Sequence, residues 1–271
     1  MFCQVCNGKL KKINFYSFKC RSCNYFFSNL NSSAGQDIEG IENLRRKNFK
    51  KLIKELLKYN PNPKILEIGS GDGYFIEECN IANIDITGSE AYHKSFLRLK
   101  SNYGEKILKV HLPKPINTNL IFDIIVFNDV FEHLEMINDV IREVSLVLKD
   151  DGLIVLNLPT SDGIIFKISR FLLRFKINKF YDRLWQKNTS SPHLSYFNKS
   201  NLTKLFLKNR FSLLEAGSLE TFEFNNFKRF RNLYKSIFLS FIFTIFISMF
   251  FFLQFFLPKD IMYLIFKKNK Q

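Results

Sequence analysis

The stretch Lys64-Ile65-Leu66-Glu67-Ile68-Gly69-Ser70-Gly71-Asp72-Gly73-Tyr74-Phe75 decides the fold. A short apolar run ends in glycines at 69, 71 and 73, and helical spacing is expected to begin after Gly73. Glycine has no Cβ and tolerates positive φ, so the backbone can turn sharply at a strand end and approach a ligand closely. The loop then makes a cleft floor. Its pattern, E-x-G-x-G-x-G, is neither the dinucleotide G-x-G-x-x-G nor the phosphate-binding G-x-x-x-x-G-K-[ST], and no lysine follows to hold a phosphate. A tight turn without a ligand is the alternative, and the residues downstream bear on it.

Working outward, Ile84 to Glu90 reads as a second strand ending in an acid about twenty residues past the glycines. A carboxylate there can accept two charge-assisted hydrogen bonds, as two ribose hydroxyls would donate; a solvated loop acid is the alternative for Glu90. A third strand is placed at Lys106 to Leu112, followed by Pro113-Lys114-Pro115 and no acid. Phe122 to Asp129 is an apolar, β-branched run of the kind buried on both faces of a parallel sheet. Val140 to Leu148 has helical spacing, Lys149 to Gly152 reads as a turn, and Leu153 to Leu158 as the next strand. Strand and helix alternate, which predicts an α/β, doubly wound sheet.

The sequence FDIIVFNDVFEHLE at 122–135, taken with the glycine loop, resembles class I S-adenosylmethionine-dependent methyltransferases. Within them it is similar to the subgroup of ubiquinone-pathway O-methyltransferases and surface-glycan gene-cluster enzymes. The resemblance spans roughly residues 40 to 215. It implies a Rossmann-like fold and S-adenosyl-L-methionine as cofactor, held by Glu67, Gly69, Ser70, Gly71, Asp72, Gly73, Glu90, Asn128, Asp129 and Val130. Asn128 or Asp129 can instead cap the next helix. Methyl transfer is an in-line displacement that needs positioning, shielding from water and, for a hydroxyl acceptor, a base. His133 is the first candidate base, and His193, in a segment similar to the family's H-x-x-[YF]-F, is the second. Each can equally be a histidine that bonds a helix end or loop backbone.

Ahead of this domain stand Cys3-x-x-Cys6 and Cys20-x-x-Cys23, thirteen residues apart. Two such knuckles present four thiolates, the ligand set of a structural zinc ribbon. A pair of disulfides is the alternative. Four protein ligands leave no open position, so this zinc carries no catalysis. Lysines and aromatics around the ribbon raise a nucleic-acid reading, but docking on the enzyme domain is preferred, since so small a ribbon has little core of its own. The expected domains are the ribbon at 1–27, a linker and amphipathic helix at 28–60, the methyltransferase domain at 61–220 with an acceptor-site lid near 160–197, and a tail at 221–271.

The net charge of +15 is uneven: residues 1–159 carry 21 basic and 19 acidic side chains, and residues 160–271 carry 19 and 6. A near-neutral front half disfavours a nucleic-acid enzyme and directs the back half toward something anionic. Ile237 to Leu257 is a run of 21 uncharged residues, long enough as a C-terminal hydrophobic helix to cross a bilayer. Basic flanks on both sides leave a single span and a re-entrant or in-plane helix equally open. Ser240, Thr244 and Ser248 share one helix face, a candidate self-association seam or a chance of composition. Ile164 to Trp185, basic and apolar by turns, reads as an interfacial helix on the lid or an ordinary amphipathic cap. The sequence thus predicts a membrane-associated methyltransferase on the cytoplasmic face, acting on a glycan or lipid-linked acceptor. A quinone-pathway phenol is the rival acceptor. The rivals of other classes are a non-catalytic membrane scaffold and a ribbon-directed nucleic-acid modifier.

Overall fold

The computed structural model of the chain describes residues 1–33, 42–222, 236–238, 240–242, 244–245, 248 and 256–270. The knuckles sit at the ends of a small antiparallel sheet, β1 (Leu10–Lys12), β2 (Ser17–Cys20) and β3 (Phe26–Ser28). The two knuckles repeat one turn: the amides of Asn7 and Asn24 bond the carbonyls of Cys3 and Cys20, with φ at 59° and 58°. Asparagine tolerates this left-handed conformation better than most residues. Helix α1 (Glu42–Leu57) buries Leu44, Phe49, Leu52, Ile53 and Leu56 along one stripe, the face the sequence periodicity predicted.

The main sheet then alternates with helices: β4 (Lys64–Ile68), α2 (Tyr74–Ile81), β5 (Asp85–Glu90), α3 (His93–Tyr103), β6 (Ile107–Lys109), β7 (Phe122–Asn128), α4 (Ile137–Leu146) and β8 (Leu148–Pro159). The lid follows as α5 (Ile164–Leu173), α6 (Lys179–Leu184) and β9 (Ser195–Tyr196), before α7 (Lys199–Lys208), β10 (Phe211–Leu219) and β11 (Ile261–Lys268). Seven strands lie in the order β10-β11-β8-β7-β4-β5-β6, parallel except for β11. The order reverses at β4, so the crevice beyond the carboxyl ends of β4 and β7 is the topological switch point. Layers on both faces cover Ile124, Ile125 and Val126 completely, which is why β7 is continuously apolar.

Two expectations change here. The tail expected at 221–271 ends not in a basic flank alone but in a strand inside the sheet, with β8 on one side and β10 on the other. Among the described residues no helix is long and apolar enough to cross a membrane, and much of Ile237 to Leu257 lies outside them. The basic flank is partly spent on the sheet: Lys267 and Lys270 reach Asp151 at 3.3 and 3.1 Å, and Lys268 reaches Asp150 at 3.3 Å. Ser240 and Thr244 direct their hydroxyls to carbonyls one turn earlier, those of Ser236 and Ser240. The lid is also two helices rather than one, broken at 174–178 with Lys176 at φ 64°.

The ribbon docks on the lid. β3 pairs with β9, and Tyr16, Phe26, Phe166, Tyr181, Trp185 and Tyr196 form one buried aromatic cluster across the seam. Tyr16 donates to Asp182 at 2.6 Å. The start of β11 holds the other end of the lid, since Asp260 Oδ1 accepts from the amides of Ile165 (2.8 Å) and Phe166 (3.4 Å) at the first turn of α5.

Candidate active site

The glycine loop closes over the end of β4 with φ of 72°, 53° and 87° at Gly69, Gly71 and Gly73. A Cβ at Gly69 would meet Val130 Cγ2 at 2.7 Å, whereas a Cβ at Gly71 would meet nothing within 4 Å. The loop is thus packed at its base and open at its crest, where a ligand can approach the backbone. Beside it, Glu90 is 6% exposed at the end of β5. Its carboxylate accepts from the amides of Gly71 (3.0 Å), Ala91 (2.8 Å) and Tyr92 (3.0 Å), which fixes it against the loop. The Ser70 amide bonds the Ser89 carbonyl and the Ser70 hydroxyl takes the Ser89 amide, tying loop to β5. Asp72 lies outside, paired to Arg98 at 2.6 Å.

Glu67 and Asn128 meet at the switch point. Asn128 Nδ2 donates to Glu67 Oε1 at 2.9 Å, and Asn157 Nδ2 donates to Asn128 Oδ1 at 3.2 Å. Glu67 Oε2 is buried without a hydrogen-bond partner among the described residues. Burial pushes the Glu67 carboxyl up to about 7, against the pull of the Asn128 amide and the nearby Ser70 hydroxyl, which faces it without reaching bonding geometry. Asp129, at φ 53°, faces Arg45 of α1 at 3.8 Å, and its carboxyl is raised by desolvation despite that cation.

The short 3-10 turn Phe131–His133 follows β7 and meets the strap at 191–194. Leu194 donates to the Glu132 carbonyl at 2.9 Å, and the His133 and His193 rings lie with centroids 4.7 Å apart. His133 Nδ1 is 2.9 Å from the Pro192 carbonyl, which only accepts, so Nδ1 carries the proton and the lone pair sits on Nε2. His193 is buried, bonds Gln186 through Nε2 at 3.0 Å, and is held neutral by burial and by His133. Both candidate bases are therefore brought to one place. The residue that sequence reasoning missed is Glu132: fully buried, with neither oxygen hydrogen-bonded among the described residues, Oε1 3.9 Å from His193 Nε2, and its carboxyl raised by desolvation. Glu132, His133 and His193 offer ligand atoms within 4.8 Å of one another and can hold a metal ion.

The four ribbon cysteines also converge within 4.8 Å. Cys3 and Cys23 sulfurs are 3.6 Å apart, Cys6 and Cys20 sulfurs 3.5 Å. Four thiolates at about 2.3 Å from zinc sit near 3.8 Å from each other, so the donor set fits tetrahedral zinc, and the separations are too long for disulfides.

A family profile described as a methyltransferase domain matches residues 41–216. The chain belongs to that family and is an S-adenosylmethionine-dependent methyltransferase. Solved structures share its fold. A SAM-dependent methyltransferase from Archaeoglobus fulgidus has TM-score 0.51 at 17% identity, covering 84% of this chain and 97% of that one. Magnesium protoporphyrin IX methyltransferase from Synechocystis, solved with SAH, has TM-score 0.52 at 11% identity, covering 87% and 90%. The 1,6-didemethyltoxoflavin-N1-methyltransferase of Burkholderia thailandensis, also with SAH, has TM-score 0.51 at 10% identity, covering 97% and 100%. No curated protein sequence matches the chain.

Proposed function

We propose that the enzyme methylates a hydroxyl of a glycan or lipid-linked intermediate of envelope biosynthesis at the cytoplasmic face of a membrane. The observation that carries the catalytic part is the open crest at Gly71, framed by the Glu90 carboxylate and the unpartnered Glu67 oxygen. Such a frame suits S-adenosylmethionine: Glu90 stands where two ribose hydroxyls would donate, and Glu67 and Asn128 stand where the cationic methionyl end would lie. When bound, the cofactor would supply an electrophilic methyl group, its sulfonium sulfur leaving as a neutral thioether. His133 would take the acceptor hydroxyl's proton at Nε2, and neutral His193 keeps a second positive charge out of the pocket. Lid and strap exclude water around them. Zinc in the four-cysteine site is a structural support for the strap.

The acceptor rests on the family resemblance, the 21-residue apolar run and the exposed apolar side chains of the lid. The test is titration calorimetry with S-adenosylmethionine on the protein and on Gly71→Arg, followed by transfer of labelled methyl into extracted lipids and glycans. Binding that is lost in the variant, with label in a lipid or glycan fraction, is expected. A wild type that binds no cofactor ends the catalytic reading, and label appearing only in quinone precursors ends the acceptor reading.

A further inference from the structure

The seam between ribbon and lid carries a second feature, remote from the glycine loop. An open cleft of about 340 Å³ is lined by Lys11, Lys12, Lys19 and Arg21 of the ribbon, Arg170 of α5 and Ile13, with no carboxylate among the described residues. None of the five cations makes an ion pair among the described residues. Lys19 and Arg170 both lie over the Phe26 ring, at 5.5 and 4.7 Å, and burial plus mutual repulsion lowers the Lys19 pKa. Folding brings like charges together here without a counterion among the described residues, which disfavours the folded state unless an anion offsets it.

The lid exposes Ile168 and Phe171 of α5, Phe175 and Ile177 of the break, and Phe180 of α6, the three phenylalanines at 56%, 63% and 57%. Residues 1–33 contain no acid, and Asp182, the one acid in α5 and α6, is engaged by Tyr16 and Lys187. A filled zinc site would add two negative charges, and the unit stays cationic. The buried aromatic cluster fixes ribbon and lid to each other, so cations and apolar side chains belong to one unit.

We propose that this ribbon–lid face docks on an anionic lipid bilayer, with headgroup phosphates in the Lys11–Arg170 cleft and the lid's phenylalanines in the acyl boundary. Exposed aliphatic side chains among the aromatics favour lipid over nucleic acid, because isoleucine offers no stacking plane for a base. The inference deepens the membrane reading above, and the two fail separately. Flotation of the full chain with phosphatidylcholine vesicles reads the C-terminal apolar segment; the contrast between vesicle types reads the ribbon–lid face. The experiment is limited trypsin digestion of the full chain with phosphatidylcholine vesicles or with phosphatidylcholine–phosphatidylglycerol vesicles, scored by mass spectrometry at Arg174 and Lys176 in the exposed break between α5 and α6. Anionic vesicles are expected to slow cleavage there by roughly tenfold or more. K11E/K12E is expected to bring the two vesicle types within about twofold, while keeping cofactor affinity. Phe175→Ser should reduce protection with both cations intact. Equal cleavage on the two vesicle types overturns the proposal, and so does protection of these sites by RNA without protection by vesicles.

Discussion

Gly69 and Gly71 share a positive φ, yet a side chain acts differently at each. At Gly69 a Cβ runs into Val130, so Gly69→Val combines backbone strain with a clash at the base of the loop. It should lower thermal stability by several degrees, read by differential scanning calorimetry. At Gly71 the added side chain enters open space, so Gly71→Arg should abolish cofactor binding while leaving the melting temperature within a few degrees of wild type. Glu67 makes a pH prediction. Its folded-state carboxyl titrates near 7 against 4.5 in the unfolded chain, so the folded protein holds the extra proton. Stability should therefore fall as pH rises from about 4.5 to 7, by on the order of 3 kcal/mol at most. Urea melts of Glu67→Gln should lose that slope, because glutamine can still accept from Asn128 without ionising.

At the scale of elements, the ribbon and the strap that carries His193 are one unit. Ser28 at the end of β3 donates its hydroxyl to the His193 carbonyl at 2.6 Å and its amide to the Leu194 carbonyl at 2.8 Å, and Tyr25 shares a hydrogen bond with Ser195 at 2.6 Å. If the four cysteines hold zinc as proposed, a chelator, like Cys20→Ser, should release β3 from β9. Methyl transfer should then drop by about tenfold or more with cofactor affinity nearly unchanged, and hydrogen exchange at 193–197 should quicken. Unchanged exchange there would contradict the coupling. Reading this from sequence was only half feasible. Glycine spacing, the acid of β5 and the apolar run of β7 carry local signals of turn chemistry and burial, so they were legible. The lid break was not, because no glycine or proline marks 174–178; the chain turns there to pack Tyr181 and Trp185 on the ribbon. Glu132 lies inside the 122–135 motif, but its complete burial depends on β9 and the strap, some sixty residues away in the chain.

For the whole molecule, the deepest difference between sequence and structure lies in Ile261–Lys268. Its residues read as the edge of an apolar tail because strand partnership has no local code, only a pattern that fits a buried sheet position. Gly217 supplies a trace of it, since a Cβ there would collide with the Tyr263 ring. Ending the chain after residue 222 would leave β8 and β10 without the strand between them, so that protein should aggregate and bind no cofactor, as seen by light scattering and calorimetry. Replacing residues 224–255 with a short glycine–serine loop should preserve cofactor binding, because Leu219 and Ile261 are already paired neighbours.

That pairing also has a topological meaning. Leu219 and Ile261 stand opposite each other in one sheet, so everything between them starts and finishes on the same side of any bilayer. The number of complete crossings in that stretch is even, and zero is the simplest value. A solitary span is ruled out by parity, whatever the hydropathy of residues 237–257. If the segment enters lipid it must come back, which would hold the sheet and its cofactor cleft close to that surface.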